Sequence, residues 1–145
     1  MRGRQFITVA QELAEADLEP HWRSAISRAY YAAFHEAKDA LAYHSIAFEG
    51  TGNDHALVVR YLGYAGDQSL GEAGTGLGGL QESRRRADYA LRSTEGIGQP
   101  NAKLCILQAQ LVIRKIEESP LRKGDPTSVV KAIRAKLAMI SPPKR

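Results

Sequence analysis

The sequence predicts an all-α fold, and three observations predict it. Apolar residues recur at three- and four-residue spacings through most of the 145-residue chain, the pattern of helices with one buried stripe. Alternating runs of β-branched and aromatic residues, the mark of strands, are missing. Helix-start residues stand where the stripes begin: Pro20, Asn53, Pro100 and the pair Asp125-Pro126. The expected architecture is a bundle of about five helices over residues 1–120. A basic C-terminal helix and tail, 121–145, pack on the same domain.

The first helix is expected over about residues 5–17, with Phe6, Val9, Leu13 and Ala16 as its apolar stripe. Pro20 suits the first turn of the second and longest helix, about 20–43. Its stripe is Trp22, Ile26, Ala29, Ala33, Ala37 and Leu41, so small that another helix can pack very close. Residues 45–53 read as a loop. Asn53 is a good N-cap for a short third helix carrying His55, Leu57, Val58, Tyr61 and Leu62.

Residues 63–79 hold seven glycines. Each costs a helix about 1 kcal/mol against alanine, so this stretch is expected to be mostly a mobile loop. The run Gly74-Thr-Gly-Leu-Gly-Gly79 has the look of a phosphate loop. No strand precedes it and no Lys-Ser/Thr follows, which argues against one. The fourth helix is expected to begin near Leu77–Leu80 and to run through Arg84–Tyr89. Pro100 opens the fifth, with Leu104, Leu107, Leu111 and Ile116 in the core. The sixth begins at Asp125-Pro126 and sets Val129, Ile133, Leu137 and Ile140 against Lys131, Arg134 and Lys136. It is expected to pack on its own bundle.

Composition bounds the function classes. Apolar residues make up 43% and charged residues 25%, an ordinary globular balance that excludes a disordered chain. Cys105 is the only cysteine, so no intramolecular disulfide forms and a reducing, cytoplasmic setting is expected. The N-terminal segment has no apolar core of the signal-peptide kind, and no stretch is apolar enough to span a bilayer. Charge is uneven. Residues 1–102 carry 10 Lys and Arg against 13 Asp and Glu; residues 103–145 carry 10 against 3. The basic third is either a polyanion-facing surface or a solvated helix face.

Two segments concentrate the chemistry: Arg23-Ser-Ala-Ile-Ser-Arg-Ala-Tyr-Tyr-Ala-Ala-Phe-His35 and Arg84-Arg-Arg-Ala-Asp-Tyr89. In the first, Arg28, Tyr31, His35 and Asp39 share one helix face. Arg28-Ala-Tyr-Tyr-Ala-Ala-Phe-His35 followed by Arg86-Ala-Asp-Tyr89 resembles the HEPN superfamily (higher eukaryotes and prokaryotes nucleotide-binding domain). It is most similar to the small bacterial and archaeal branch, whose connecting helix often starts with a histidine, as the segment around His55 does. The resemblance covers about residues 5–118. It implies an antiparallel helical bundle that commonly dimerises. Many members are metal-independent ribonucleases of toxin–antitoxin, phage-defence and CRISPR systems; others pair with a small nucleotidyltransferase. Catalytic members carry Arg, four to six residues, then His on a late helix. Here no histidine follows Arg84–Arg86, and Asp88 and Tyr89 stand in its place.

Two arrangements of these residues are expected. In the first they form a nuclease site. Metal-independent RNA cleavage needs a base for the 2′-hydroxyl and a cation for the phosphorane. His35 suits the first role, and Arg28 with Arg86 the second. Arg84 and Arg85 would bind the nucleic acid, with Tyr31 or Tyr89 holding the nucleotide. In the second, Arg28 pairs with Asp88 as a buried clamp between the second and fourth helices. His21, His35, His44 and His55 lack metal-ligand spacing, so no metal and no other cofactor is expected. The expected partners are a second copy, RNA, and a nucleotidyltransferase or antitoxin protein, with no membrane.

Overall fold

The computed structural model describes residues 1–140 of the chain, and these are helical with no strand. A 3-10 turn, Gly3–Gln5, leads into α1 (Phe6–Ala14). Then come α2 (Glu19–Tyr43), α3 (Asp54–Tyr64), α4 (Gln68–Tyr89), α5 (Gln99–Glu118) and α6 (Thr127–Ile140). The expected tail at 141–145 lies outside the described residues.

The bundle is built around α2. Leu18 is extended, Pro20 lies in the first turn, and the Trp22 indole donates to the Ala16 carbonyl at 2.7 Å, fixing the corner with α1. α2 packs on α1, α3, α4 and α5. Ala25, Ala29, Ala32, Ala33, Ala37 and Ala40 are fully buried, so it is enclosed on several sides rather than along one stripe. α2 and α4 run antiparallel, and so do α4 and α5. Arg23 at the start of α2 meets Ala87 at the end of α4, and Gly76 of α4 meets Val112 of α5. α2 and α5 therefore run the same way. Small buried residues on both, including Ala102, Cys105 and Ala109 of α5, let them touch across the bundle.

That close contact turns α5 away from its expected face. Leu104, Leu107 and Leu111 are 49%, 63% and 48% exposed, and only Ile116 of the expected set is buried. The core takes Ala102, Cys105, Ile106, Ala109, Val112 and Ile113 instead. α1 is rotated likewise and ends earlier than expected. Ile7, Ala10 and Ala14 are buried, Phe6 and Leu13 are partly so, and Val9 is exposed.

The glycine-rich segment is the largest departure. It is not mostly loop: α4 begins at Gln68, where the Asp67 side chain accepts the Leu70 N–H at 3.0 Å. Tertiary packing outweighs the propensity cost. A methyl at Gly74 would lie 3.2 Å from Leu62 Cβ and 3.3 Å from the Val59 carbonyl of α3. One at Gly76 would lie 2.9 Å from Val112 of α5. Glycine lets α4 press against both neighbours, and the phosphate-loop look of residues 74–79 is a mid-helix run.

Asn53 precedes α3, but its side chain donates to Glu49 at 3.0 Å and caps nothing. The neighbouring Asp54 fastens this corner. Its buried carboxylate accepts Lys38 Nζ and the Glu49 and Gly50 N–H groups, each at 2.9 Å. α6 packs on α3 through Val129 and Ile133, with Leu137 half-buried and Ile140 exposed. Asp125 accepts the Thr127 N–H at 2.9 Å at its start. Arg134 Nη2 donates to the His44 carbonyl at 3.1 Å. No helix among the described residues is long and apolar enough to cross a membrane.

Candidate functional site

Four cationic or titratable side chains from three helices converge on the Tyr31 ring. α2 supplies two of them because residues three and four apart share a helix face. Arg28 Cζ lies 5.1 Å from the Tyr31 centroid and 5.2 Å from that of Phe6 on α1. The His35 ring stacks on Tyr31 at 6.0 Å. α4 supplies Arg84, whose Cζ lies 5.7 Å from Tyr31, 5.4 Å from Tyr30 and 5.8 Å from Tyr89. α3 supplies His55, edge-on to Tyr31 at 5.9 Å and stacked on Phe34 at 4.5 Å.

The polar atoms of this cluster are sparingly used. Arg84 is only 7% exposed, yet its guanidinium donates no hydrogen bond among the described residues, and its Nε is sealed from solvent without a partner. Its nearest carboxylate is Asp88, at 3.7 Å. Three tyrosine faces supply the rest of its electrostatic support. The Tyr30 hydroxyl and His55 Nδ1 lie 2.5 Å apart. Burial holds the Tyr30 phenol protonated, well above its ordinary range, despite the opposing pull of Arg84. Burial also lowers the His35 pKa; Asp39 opposes this, and Lys38 and Arg28 add to it. His35 is therefore neutral at neutral pH, with neither ring nitrogen spent on a hydrogen bond among the described residues. A neutral imidazole in that state can accept a proton.

The three arginines of α4 separate as their 100° spacing demands. Arg84 enters the cluster and Arg85 is exposed. Arg86 leans on the loop that follows α4: a methyl built at Gly96 would lie 3.0 Å from its Nη1. Arg86, expected beside Arg28 and His35, therefore gives its place to Arg84. Tyr89 is 75% exposed and reaches the cluster through Arg84.

The expected Arg28–Asp88 clamp is replaced by two other links. Arg28 lies over Phe6 and Tyr31, while Asp88 accepts the Ser27 hydroxyl at 3.2 Å and faces Arg84. The stronger link between α2 and α4 is Arg23. This buried side chain donates to the carbonyls of Ala87 at 2.9 Å, Arg86 at 3.3 Å and Ser93 at 2.6 Å, and pairs with Glu19 at 3.0 Å. It satisfies the Ala87 carbonyl in the last turn of α4 and shares the Arg86 carbonyl with the Ala90 N–H, at the negative end of the helix dipole. Arg23 and His55 are the two members that sequence reasoning left out of the site and its support. The only signal for His55 was its place at the start of a short helix.

A second polar tie holds the N-terminus against the back of α2. Glu36, 2% exposed, accepts Arg2 Nη2 at 2.8 Å, Arg4 Nε at 3.2 Å and the Arg4 N–H at 3.1 Å. This brings Phe6 to Arg28. Cys105 is buried, and burial pushes its thiol pKa up, so it is a small core residue. Among the described residues no three His, Cys, Asp or Glu side chains gather as a metal-binding group.

The chain matches no protein-family model, no curated protein and no solved structure.

Proposed function

We propose that this chain is a HEPN-like protein that acts on RNA as a metal-independent endoribonuclease, in a toxin–antitoxin or defence setting. One observation carries the reading. Arg28, Arg84, His35 and His55 surround the Tyr31 ring, and among the described residues neither His35 nor Arg84 makes a side-chain hydrogen bond. His35 takes the 2′-hydroxyl proton as the 2′-oxygen bonds to phosphorus, and the 5′-oxygen leaves and takes a proton from solvent. Arg84 and Arg28 meet the charge that builds on the phosphorane. Tyr31 and the exposed Tyr89 stack on or hydrogen-bond the nucleotide, and Arg85 tracks the backbone. The sequence resemblance points the same way, while the missing late-helix histidine means that α2 supplies the base.

A second reading has its own support. Leu104, Leu107 and Leu111 form an exposed apolar row at helical spacing on α5. Such a row suits a protein contact. In this reading the chain is a dimeric interaction module, or the partner of a small nucleotidyltransferase or antitoxin protein. The two readings part in a cleavage assay with EDTA. The ribonuclease reading expects RNA cleavage that His35→Ala abolishes; the module reading expects none from either protein.

A further inference from the structure

We infer that Arg84 and His55 form a binding pair for a phosphate-class oxyanion, in which the Tyr30 hydroxyl presents His55 as a neutral Nε2–H donor. The inference rests on the reading above for its substrate, a phosphodiester; the pair itself is read from geometry.

The first half is the unspent guanidinium. A buried charge without hydrogen bonds is costly, and proteins normally pair or bond it. Arg84 is more than nine-tenths buried and donates no hydrogen bond among the described residues, where its Nε has no partner. Asp88 lies beyond hydrogen-bond range at 3.7 Å and already accepts from Ser27. An oxyanion supplies the acceptor atoms that the described residues do not.

The second half is the tautomer of His55. Tyr30 is fully buried, and His55 Nδ1, 2.5 Å from its hydroxyl, is its only hydrogen-bond partner among the described residues. The phenol donates there, since otherwise its proton would be buried without an acceptor. Nδ1 is then the acceptor, and the ring's proton sits on Nε2. Nε2 has no partner among the described residues and is not sealed from solvent. His55 and Arg84 lie against the same two rings, 5.6 and 5.4 Å from Tyr30 and 5.9 and 5.7 Å from Tyr31. Two donor sets thus flank one aromatic pair.

The charges around His55 keep it neutral. Burial lowers its pKa, and Arg84 from α4 with Lys38 and His35 from α2 lower it further, against the adjacent Asp54. Tyr30 stays a phenol. His55 is therefore a donor and His35 the base, a division of labour between two histidines on different helices. His55 is a binding residue and Tyr30 a positioning residue.

The test is histidine and arginine side-chain ¹H–¹⁵N NMR on the full chain, titrated with inorganic phosphate. The expected result is His55 as the Nε2–H tautomer at neutral pH, with phosphate moving the His55 Nε2 and Arg84 Nε signals together. His55→Leu should weaken phosphate binding by about tenfold or more. Tyr30→Phe should release the tautomer while leaving the fold intact. A His55 found as Nδ1–H, or phosphate that moves neither signal, would overturn the pair. Single-stranded RNA added to the His35→Ala protein separates the sources. RNA that moves both signals assigns the site to a phosphodiester. If inorganic phosphate moves them and RNA does not, the pair stands and the ribonuclease reading falls.

Discussion

The guanidinium of Arg23 caps the last turn of α4, with Nη1 2.9 Å from the Ala87 carbonyl. Arg23 begins the same helix that carries Arg28, Tyr31 and His35, and α4 carries Arg84. The cap therefore sets the register in which the two halves of the cluster meet.

Arg23→Ala should lower stability by about 1.5–3 kcal/mol, the usual range for hydrogen bonds to a charged group. Arg28→Ala, which loses cation–π contacts over Phe6 and Tyr31, should cost about 1 kcal/mol or less. Urea denaturation of both variants checks the order. A larger loss from Arg28→Ala would contradict the assignment of the clamp to Arg23.

The glycines of α4 should split by position. Gly79→Ala meets nothing within 4 Å and should raise stability by roughly 0.5–1 kcal/mol through helix propensity. Gly74→Ala should lower stability, because its methyl meets the Val59 carbonyl at 3.3 Å. Thermal melts of the two variants should shift in opposite directions. Equal upward shifts would mean that α3 and α4 are less closely packed.

This split explains what the sequence could reveal. Pro20 and Pro100 mark true helix starts because a proline's requirements are local. The run of α2 was legible from its apolar spacing. The first half of α4 was not, because its glycines are chosen by α3 and α5, which lie elsewhere in the chain. The buried faces of α1 and α5 differ from their expected stripes for a related reason. Size suggested Leu104, Leu107 and Leu111 as core, but an alanine-rich α2 admits close approach and selects Ala102, Cys105 and Ala109. Within the site, Arg28, Tyr31 and His35 were readable as one helix face. The choice of Arg84 over Arg86 depended on the exact rotation of α4. His55 meets Tyr30 from 25 residues away, a pairing no local pattern encodes.

Leu107→Glu should leave the fold of the protomer nearly unchanged, since Leu107 is 63% exposed and surface changes typically stay within about 0.5 kcal/mol. If a second copy covers the α5 row, the variant should fall from dimer to monomer mass by light scattering. A wild-type dimer whose mass the variant leaves unchanged would place the dimer contact on another face.

The proposed cleavage should keep its activity below the ordinary histidine range. Burial, with Lys38 and Arg28, holds the His35 pKa down against Asp39. The neutral base therefore survives to lower pH, and the acid limb of kcat/KM should lie below pH of about 6.5. The same shift lowers stability as pH falls through that range, because the unfolded chain binds the proton more readily. An acid limb at or above the ordinary value would mean that a different group is titrating.

The central claim is that the cluster around Tyr31 cleaves RNA with His35 as its base. The most direct measurement is cleavage of a mixed RNA pool by the purified protein in EDTA, with His35→Ala alongside and its fold checked by thermal melt. The account predicts metal-free cleavage by the wild type and its loss in a well-folded variant. Cleavage that survives His35→Ala, or no cleavage by well-folded wild type across several RNAs, would contradict it.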